Sequence, residues 1–115
     1  MKINGIDVKF NGFDQEECRK FSDAYVEVSY KAKKVEDKLQ NDEISKQEYQ
    51  EKGTKIIKKF FKKVLPKATA QALIDTCSNY DDYLKIFSEI TQMICTVTAS
   101  LQSIAKIGKR IDKKE

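Results

Sequence analysis

The chain has no histidine and no tryptophan, one proline, four glycines and three cysteines in 115 residues. Each shortage excludes something. Without histidine, the commonest general base, proton shuttle and metal ligand is gone at once. Cys18, Cys77 and Cys95 are odd in number, far apart and never in a CxxC pair. They offer no disulfide framework, and a zinc site would need a fourth ligand that no motif provides. With no histidine-type activator nearby they read as buried core thiols, because a free cysteine behaves as a small hydrophobe. Long hydrophobic runs are missing too. Met1 to Phe10 already carries Lys2, Asp7 and Lys9, which argues against a signal peptide, and the uncharged stretch from Ile90 to Ala105 is too short and too polar to span a bilayer. Scarce proline and glycine, with 40% apolar and 35% charged residues, suit one soluble helical domain with a modest core. A reduced cytoplasmic chain is the simplest expectation.

Acidic pairs occur at Glu16-Glu17, Glu36-Asp37, Asp42-Glu43 and Asp81-Asp82. General acid–base work needs two carboxylates in different environments facing one pocket. Two of these pairs fall at expected helix starts, where capping explains them. The sequence therefore leads us to expect no catalytic residue, no cofactor and no metal.

What is present is helical patterning. From Tyr83 the apolar residues fall at Phe87, Ile90, Ile94, Val97, Leu101, Ile104 and Ile111, in alternating steps of four and three, with Gly108 in the single gap. That heptad seam marks a helix lying along a partner helix. Between Glu89 and Lys106 no residue is charged, and the back of this helix carries Thr91, Gln92, Thr96, Thr98, Ser100, Gln102 and Ser103. A solvated face would normally carry lysine and glutamate, so this helix reads as surrounded, by its own bundle or by another protein. Ile90, Ile94, Val97, Leu101 and Ile104 are the candidate partner-binding residues.

Upstream, Lys2-Ile3 and Ile6 to Phe10 flank Asn4-Gly5, the dipeptide of a two-residue hairpin turn, so residues 1–13 are expected as a hairpin. A hairpin is marginal alone, and its face must rest on helices or on another subunit. Asp14 and Glu17 form a capping box for a first helix over 14–40, with a seam of Cys18, Phe21, Tyr25, Val28, Ala32, Val35 and Leu39. Ser45 and Glu48 form a second box for a helix over 45–65 that stops before Pro66. A short helix over 68–77 and a last helix over 80–111 complete the expected fold: mainly α, a small bundle of three to four helices, two of them long, with a short N-terminal β-hairpin. The short capped connection predicts that the first two helices run antiparallel.

The net charge of +4 is concentrated: residues 44–68 carry 8 basic and 2 acidic groups, and residues 106–115 carry 5 and 2. Within the first block lies Lys58-Lys59-Phe60-Phe61-Lys62-Lys63. Lysines interleaved with aromatics can hold phosphates and stack bases, or rest on an anionic membrane. The plainer reading is an amphipathic helix whose phenylalanines continue the stripe of Ile56 and Ile57 while Lys58, Lys59, Lys62 and Lys63 reach outward. That reading takes precedence, and nucleic acid is not the expected partner.

With these elements laid out, the chain resembles the tail assembly chaperones of tailed phages and prophages of Gram-positive bacteria. One stretch of likeness is Met1 to Phe10 leading into the acidic-capped helix from Asp14 to Glu36, including Tyr25. The other comprises Ile56 to Phe61, the short helix around Ala70 to Ile74, and Tyr83 to Ile90. The chain departs from the family pattern at Leu65-Pro66, where a Phe-Gly turn is usual, and after Met93, where a charged tail is usual. The resemblance implies a non-catalytic helical protein of the host cytoplasm that coats the tape-measure protein, delivers tail-tube subunits and leaves before the virion is complete. In that family a longer, frameshifted form is often made as well. Apart from the resemblance, the small hairpin and the uncharged last helix lead us to expect a homo-oligomer that associates through the N-terminal strands or the last helix, and no membrane partner. Two other classes stay open: a nucleic-acid-binding accessory protein using Lys58 to Lys63, and an adaptor or immunity-type protein that sequesters another bacterial protein by a helical face.

Overall fold

The computed structural model describes residues 2–96. It is a small, mainly α bundle of four helices preceded by a two-stranded antiparallel hairpin, as the patterning predicts. Strand β1 (Lys2–Ile3) pairs with β2 (Ile6–Asp7) in the register Lys2 to Asp7 and Ile3 to Ile6. Asn4 and Gly5 turn the chain with φ of 52° and 81°, the left-handed pair a tight hairpin turn requires. The second strand stops at Asp7 rather than Phe10. Ile3 and Val8 are buried and Phe10 is half-buried, so beyond the ladder the chain trades strand pairing for packing onto the helices.

Helix α1 (Gln15–Gln40) is capped by Asp14, whose carboxylate accepts from the N–H groups of Glu16 and Glu17 at 2.9 and 3.2 Å. Glu17 reaches back one turn further than a capping box needs and accepts from the Asn11 N–H at 2.8 Å. The helix ends where Asp42 takes a positive φ of 58°. Helix α2 (Lys46–Val64) starts at Ser45, whose hydroxyl accepts from the Glu48 N–H, and stops at Leu65-Pro66. Helix α3 (Lys67–Asp75) is one residue early at its start and leaves Cys77 outside. Helix α4 begins at residue 80 and runs to residue 96, the end of the described segment. Asn79 and Asp82 cap it reciprocally: Asp82 N–H donates to Asn79 Oδ1 at 3.0 Å, and Ser78 N–H donates to Asp82 Oδ2 at 2.9 Å.

α1 and α2 run antiparallel: Ala24 lies with Phe60 and Lys63 near one end of the pair, and Val35 with Tyr49 and Gly53 near the other. α4 lies along both, parallel to α2, because Tyr80 meets Tyr49 and Phe87 meets Phe60. The core is Phe60, Phe61, Ile57, Leu73, Tyr83, Ile86, Ile90 and Ile94, closed at one end by Ile3 and Val8 of the hairpin. Asn4 Nδ2 donates to Thr76 Oγ1 at 3.3 Å, tying the hairpin turn to the end of α3.

On α1 the expected seam holds at Val28 and departs at Tyr25 and Ala32. Ala24 and Val28 are buried, whereas Tyr25 is 44% exposed and Ala32 is exposed. A small residue at 24 lets α1 approach α2 closely, and that rotates the bulkier Tyr25 toward the bundle's edge, where it stacks on Phe87 at 6.5 Å.

Candidate interaction site

The basic block does not form one binding stripe. Successive helical residues are about 100° apart, so α2 sends its lysines to different neighbours. Lys58 Nζ lies 5.5 Å from the centroid of the Tyr83 ring on α4, while Lys59 and Lys63 turn toward Glu27 on α1. Lys62 instead borders a shallow depression shared with Lys67 and Gln71. Phe60 and Phe61 are 1% and 0% exposed, so no base can stack on them. The aromatics have the core duty that the amphipathic reading assigns to them.

Glu27 is the centre of the strongest polar cluster. Lys31 Nζ lies 2.6 Å from one carboxylate oxygen and Lys59 Nζ 3.6 Å from the same oxygen, with Lys63 on the other. Hydrogen bonds from Lys31 and then Lys63 hold the Glu27 carboxyl down from 4.5 to about 2. Its bond to Glu27 raises Lys31, and crowding by Lys31 lowers Lys59. One carboxylate among three ammonium groups is an electrostatic clasp between α1 and α2. Asp23, one turn earlier on α1, borders the same open depression with Lys20 and Lys63, so the two acids share one helix face rather than facing each other in different environments, as acid–base chemistry would require.

The remaining chemistry-bearing residues are dispersed. Cys18 and Cys77 are half-buried, each with its sulfur 3.5 Å from a backbone carbonyl, and burial pushes the Cys77 thiol up. Cys95 is exposed, so the expectation of three buried thiols fails there: the face of α4 that carries it points away from the bundle. Among the described residues no group of three or more cysteines or acids is placed to hold a metal ion, and no helix is long and apolar enough to cross a membrane. Of the acidic pairs, Glu17 and Asp82 are helix caps.

The seam residues of the last helix divide. Ile90 and Ile94 are 0% and 1% exposed within this chain's own core, so they are not a partner surface. Heptad spacing cannot tell an internal partner from an external one, and here Ile90 and Ile94 join this chain's own core cluster. Val97, Leu101 and Ile104 lie outside the described residues. On the back of the helix, Gln92, Cys95 and Thr96 are exposed, so the uncharged face meets solvent at these positions.

A second feature was not visible in the sequence. Where α1, α2 and the start of α4 converge, an apolar groove with a cavity of about 100 Å³ opens to solvent. Val28, Ala32 and Val35 form one wall, Gly53 and Ile56 the floor, and Leu84 with Phe87 the other wall. Its opening depends on small residues. A Cβ on Gly53 would come within 2.6 Å of Tyr80 Cε2, so the glycine is what seats the Tyr80 ring at the groove's end. There Tyr80 meets Tyr49 edge-on at 6.1 Å, and burial, with the Tyr49 hydrogen bond adding to it, pushes its phenol up to about 12. None of the groove-lining side chains is charged, and Leu84 is left 39% exposed. The cavity is too small for a cofactor, for which about 300–1,000 Å³ is usual. It suits side chains that enter as knobs from a packed helix.

Comparison with known proteins adds a family. No curated protein and no solved structure matches the chain. The family model for DUF6673, described as a family of unknown function, matches residues 4–112. With nearly the whole of its 115 residues matched, the chain belongs to DUF6673.

Proposed function

We propose that this protein is a non-catalytic binding protein that holds an apolar helical segment of another protein in the groove between α1, α2 and α4. The single observation that carries this reading is the groove itself: apolar, uncharged and open, with Leu84 exposed on its wall. A helix presenting apolar residues one turn apart would cover it by helix-in-groove packing. The resemblance to tail assembly chaperones supplies the client. A tape-measure protein is a long helical rod whose exposed apolar stripes aggregate unless covered, and the tail-tube protein is the second candidate. On this reading the protein acts in the host cytoplasm, self-associates and is not retained in the finished particle.

The test is co-expression with a tape-measure protein as the candidate client. Wild type keeps that client soluble, and Leu84→Asp loses it, because the change places an unpaired charge in the contact. Replacing Lys58 and Lys62 with Gln leaves the complex intact, since exposed charges contribute only ~0.2–1 kcal/mol each. Lys59 and Lys63 are kept in this test because they hold Glu27. A complex lost on neutralising Lys58 and Lys62 but kept by Leu84→Asp reverses the order and favours nucleic acid or another charged partner, bound with steep salt dependence.

A further inference from the structure

We infer that, when no client is present, the groove is occupied by the 97–107 segment of a second copy of this chain. The inference rests on the reading of the groove as a helix-binding site and deepens it by naming the ligand that holds the site in reserve. Three observations lead there.

The first is the match in chemistry. The groove walls carry no charge. In this charged chain, the stretch from Ile90 to Ala105 is likewise without a charge, and it offers Val97, Leu101 and Ile104 at heptad spacing. Two such surfaces leave water together without stripping a charge, as a lysine-bearing segment would have to.

The second is where the described chain stops. Leu84 and Phe87 line the groove, and Ile90 and Ile94 are successive turns of α4 leading away from it. Residue 96 lies twelve residues beyond Leu84, about 18 Å along the helix. For its own segment to fill its own groove, the chain would have to reverse after residue 96. No glycine or proline lies between Thr96 and Gly108 to make that turn. A neighbour's segment reaches the groove without that reversal.

The third is size. A cavity of about 100 Å³ takes single aliphatic side chains rather than a folded domain, and Leu101 with its seam neighbours supplies them. Donor segment and acceptor groove are different surfaces, so the contact is head-to-tail: a neighbour's segment enters one groove while this chain's segment enters another. Client helices then compete with sister copies for the same site.

The purified full-length chain, with no client, tests this by sedimentation over a dilution series. Wild type associates. Leu101→Asp, in the donor segment, and Leu84→Asp, in the acceptor groove, each weaken association by roughly a hundredfold, the effect of an unpaired carboxylate in an apolar contact, while far-ultraviolet circular dichroism stays that of the wild type. The decisive experiment mixes the two variants. Leu84→Asp chains keep an intact segment and Leu101→Asp chains an intact groove, so the mixture forms pairs of one copy of each and nothing larger. A monomeric wild type overturns the inference. So does a Leu84→Asp chain that still associates, because the segments are then pairing with each other, and so does a mixture that stays monomeric. None of these outcomes bears on whether a client binds the groove.

Discussion

Glu27 shows how one side chain carries a pH dependence. Its carboxyl is held at about 2 in the fold by Lys31 and Lys63, against an ordinary 4.5, so its contribution to stability is complete above 4.5 and is lost as the pH falls toward 2. Glu27→Gln should flatten the acid limb of the thermal midpoint measured between pH 5 and pH 2, and added salt should do part of the same. Gly53 carries the opposite kind of constraint, steric rather than ionic. Gly53→Ala gains about 1 kcal/mol in helix propensity but forces the Tyr80 ring aside, an overpacking cost of about 1–3 kcal/mol. The expected net result is a loss of up to about 2 kcal/mol by urea denaturation. Tyr80 should then titrate closer to 10, read by ultraviolet absorbance, because the ring leaves its buried seat. Neither residue was legible beforehand. Gly53 is a lone glycine inside an expected helix, and Glu27 was one acid among many until α2 brought Lys59 and Lys63 to it.

At the scale of the element, the ends of the helices were far more legible than their faces. Asp14, Ser45 and Asn79 cap as their residue types and spacing demand, and Asn4-Gly5 makes the turn it is suited to. Capping is local chemistry, set by residues within a turn of one another. Asp14 accepts from two N–H groups and Ser45 from one, so Asp14→Ala should cost more than Ser45→Ala, both within about 0.5–2 kcal/mol, as checked by chemical denaturation. Faces are set by the partner. On α1 the expected seam holds at Val28, which is buried, and at Phe21, Val35 and Leu39, which are half-buried; it fails at Tyr25 and Ala32, which are exposed, while Ala24, outside the heptad, is buried by close approach to α2. The lysine block was misleading for the same reason: its four charges are adjacent in sequence but are dealt out by the helix to Tyr83, Glu27 and the α3 side.

In the molecule as a whole, Phe60 joins the three helices that line the groove, touching Phe21 of α1, its neighbour Phe61 and Phe87 of α4 at 5.0–6.2 Å between ring centres. Phe60→Ala should cost about 3–5 kcal/mol by leaving a cavity at that junction, while Leu84→Asp, on an already exposed wall, should fold normally; thermal melts of the two separate a structural residue from a recognition residue. The groove belongs to this scale alone, since Ala32, Gly53 and Leu84 come from three helices and no local pattern announces their meeting. The tie between Asn4 and Thr76 has a consequence in time. The two residues are 72 positions apart, so at about 5–20 residues per second the ribosome needs roughly 4–14 s after making the hairpin to make its anchor. Throughout that interval the tie is missing and the core that buries Ile3 and Val8 is incomplete, and a two-pair ladder is too small to persist by itself. The part of the chain made earliest is therefore among the last to become native, and a chain truncated before residue 76 should expose its first ten residues to protease, whereas the full chain protects them.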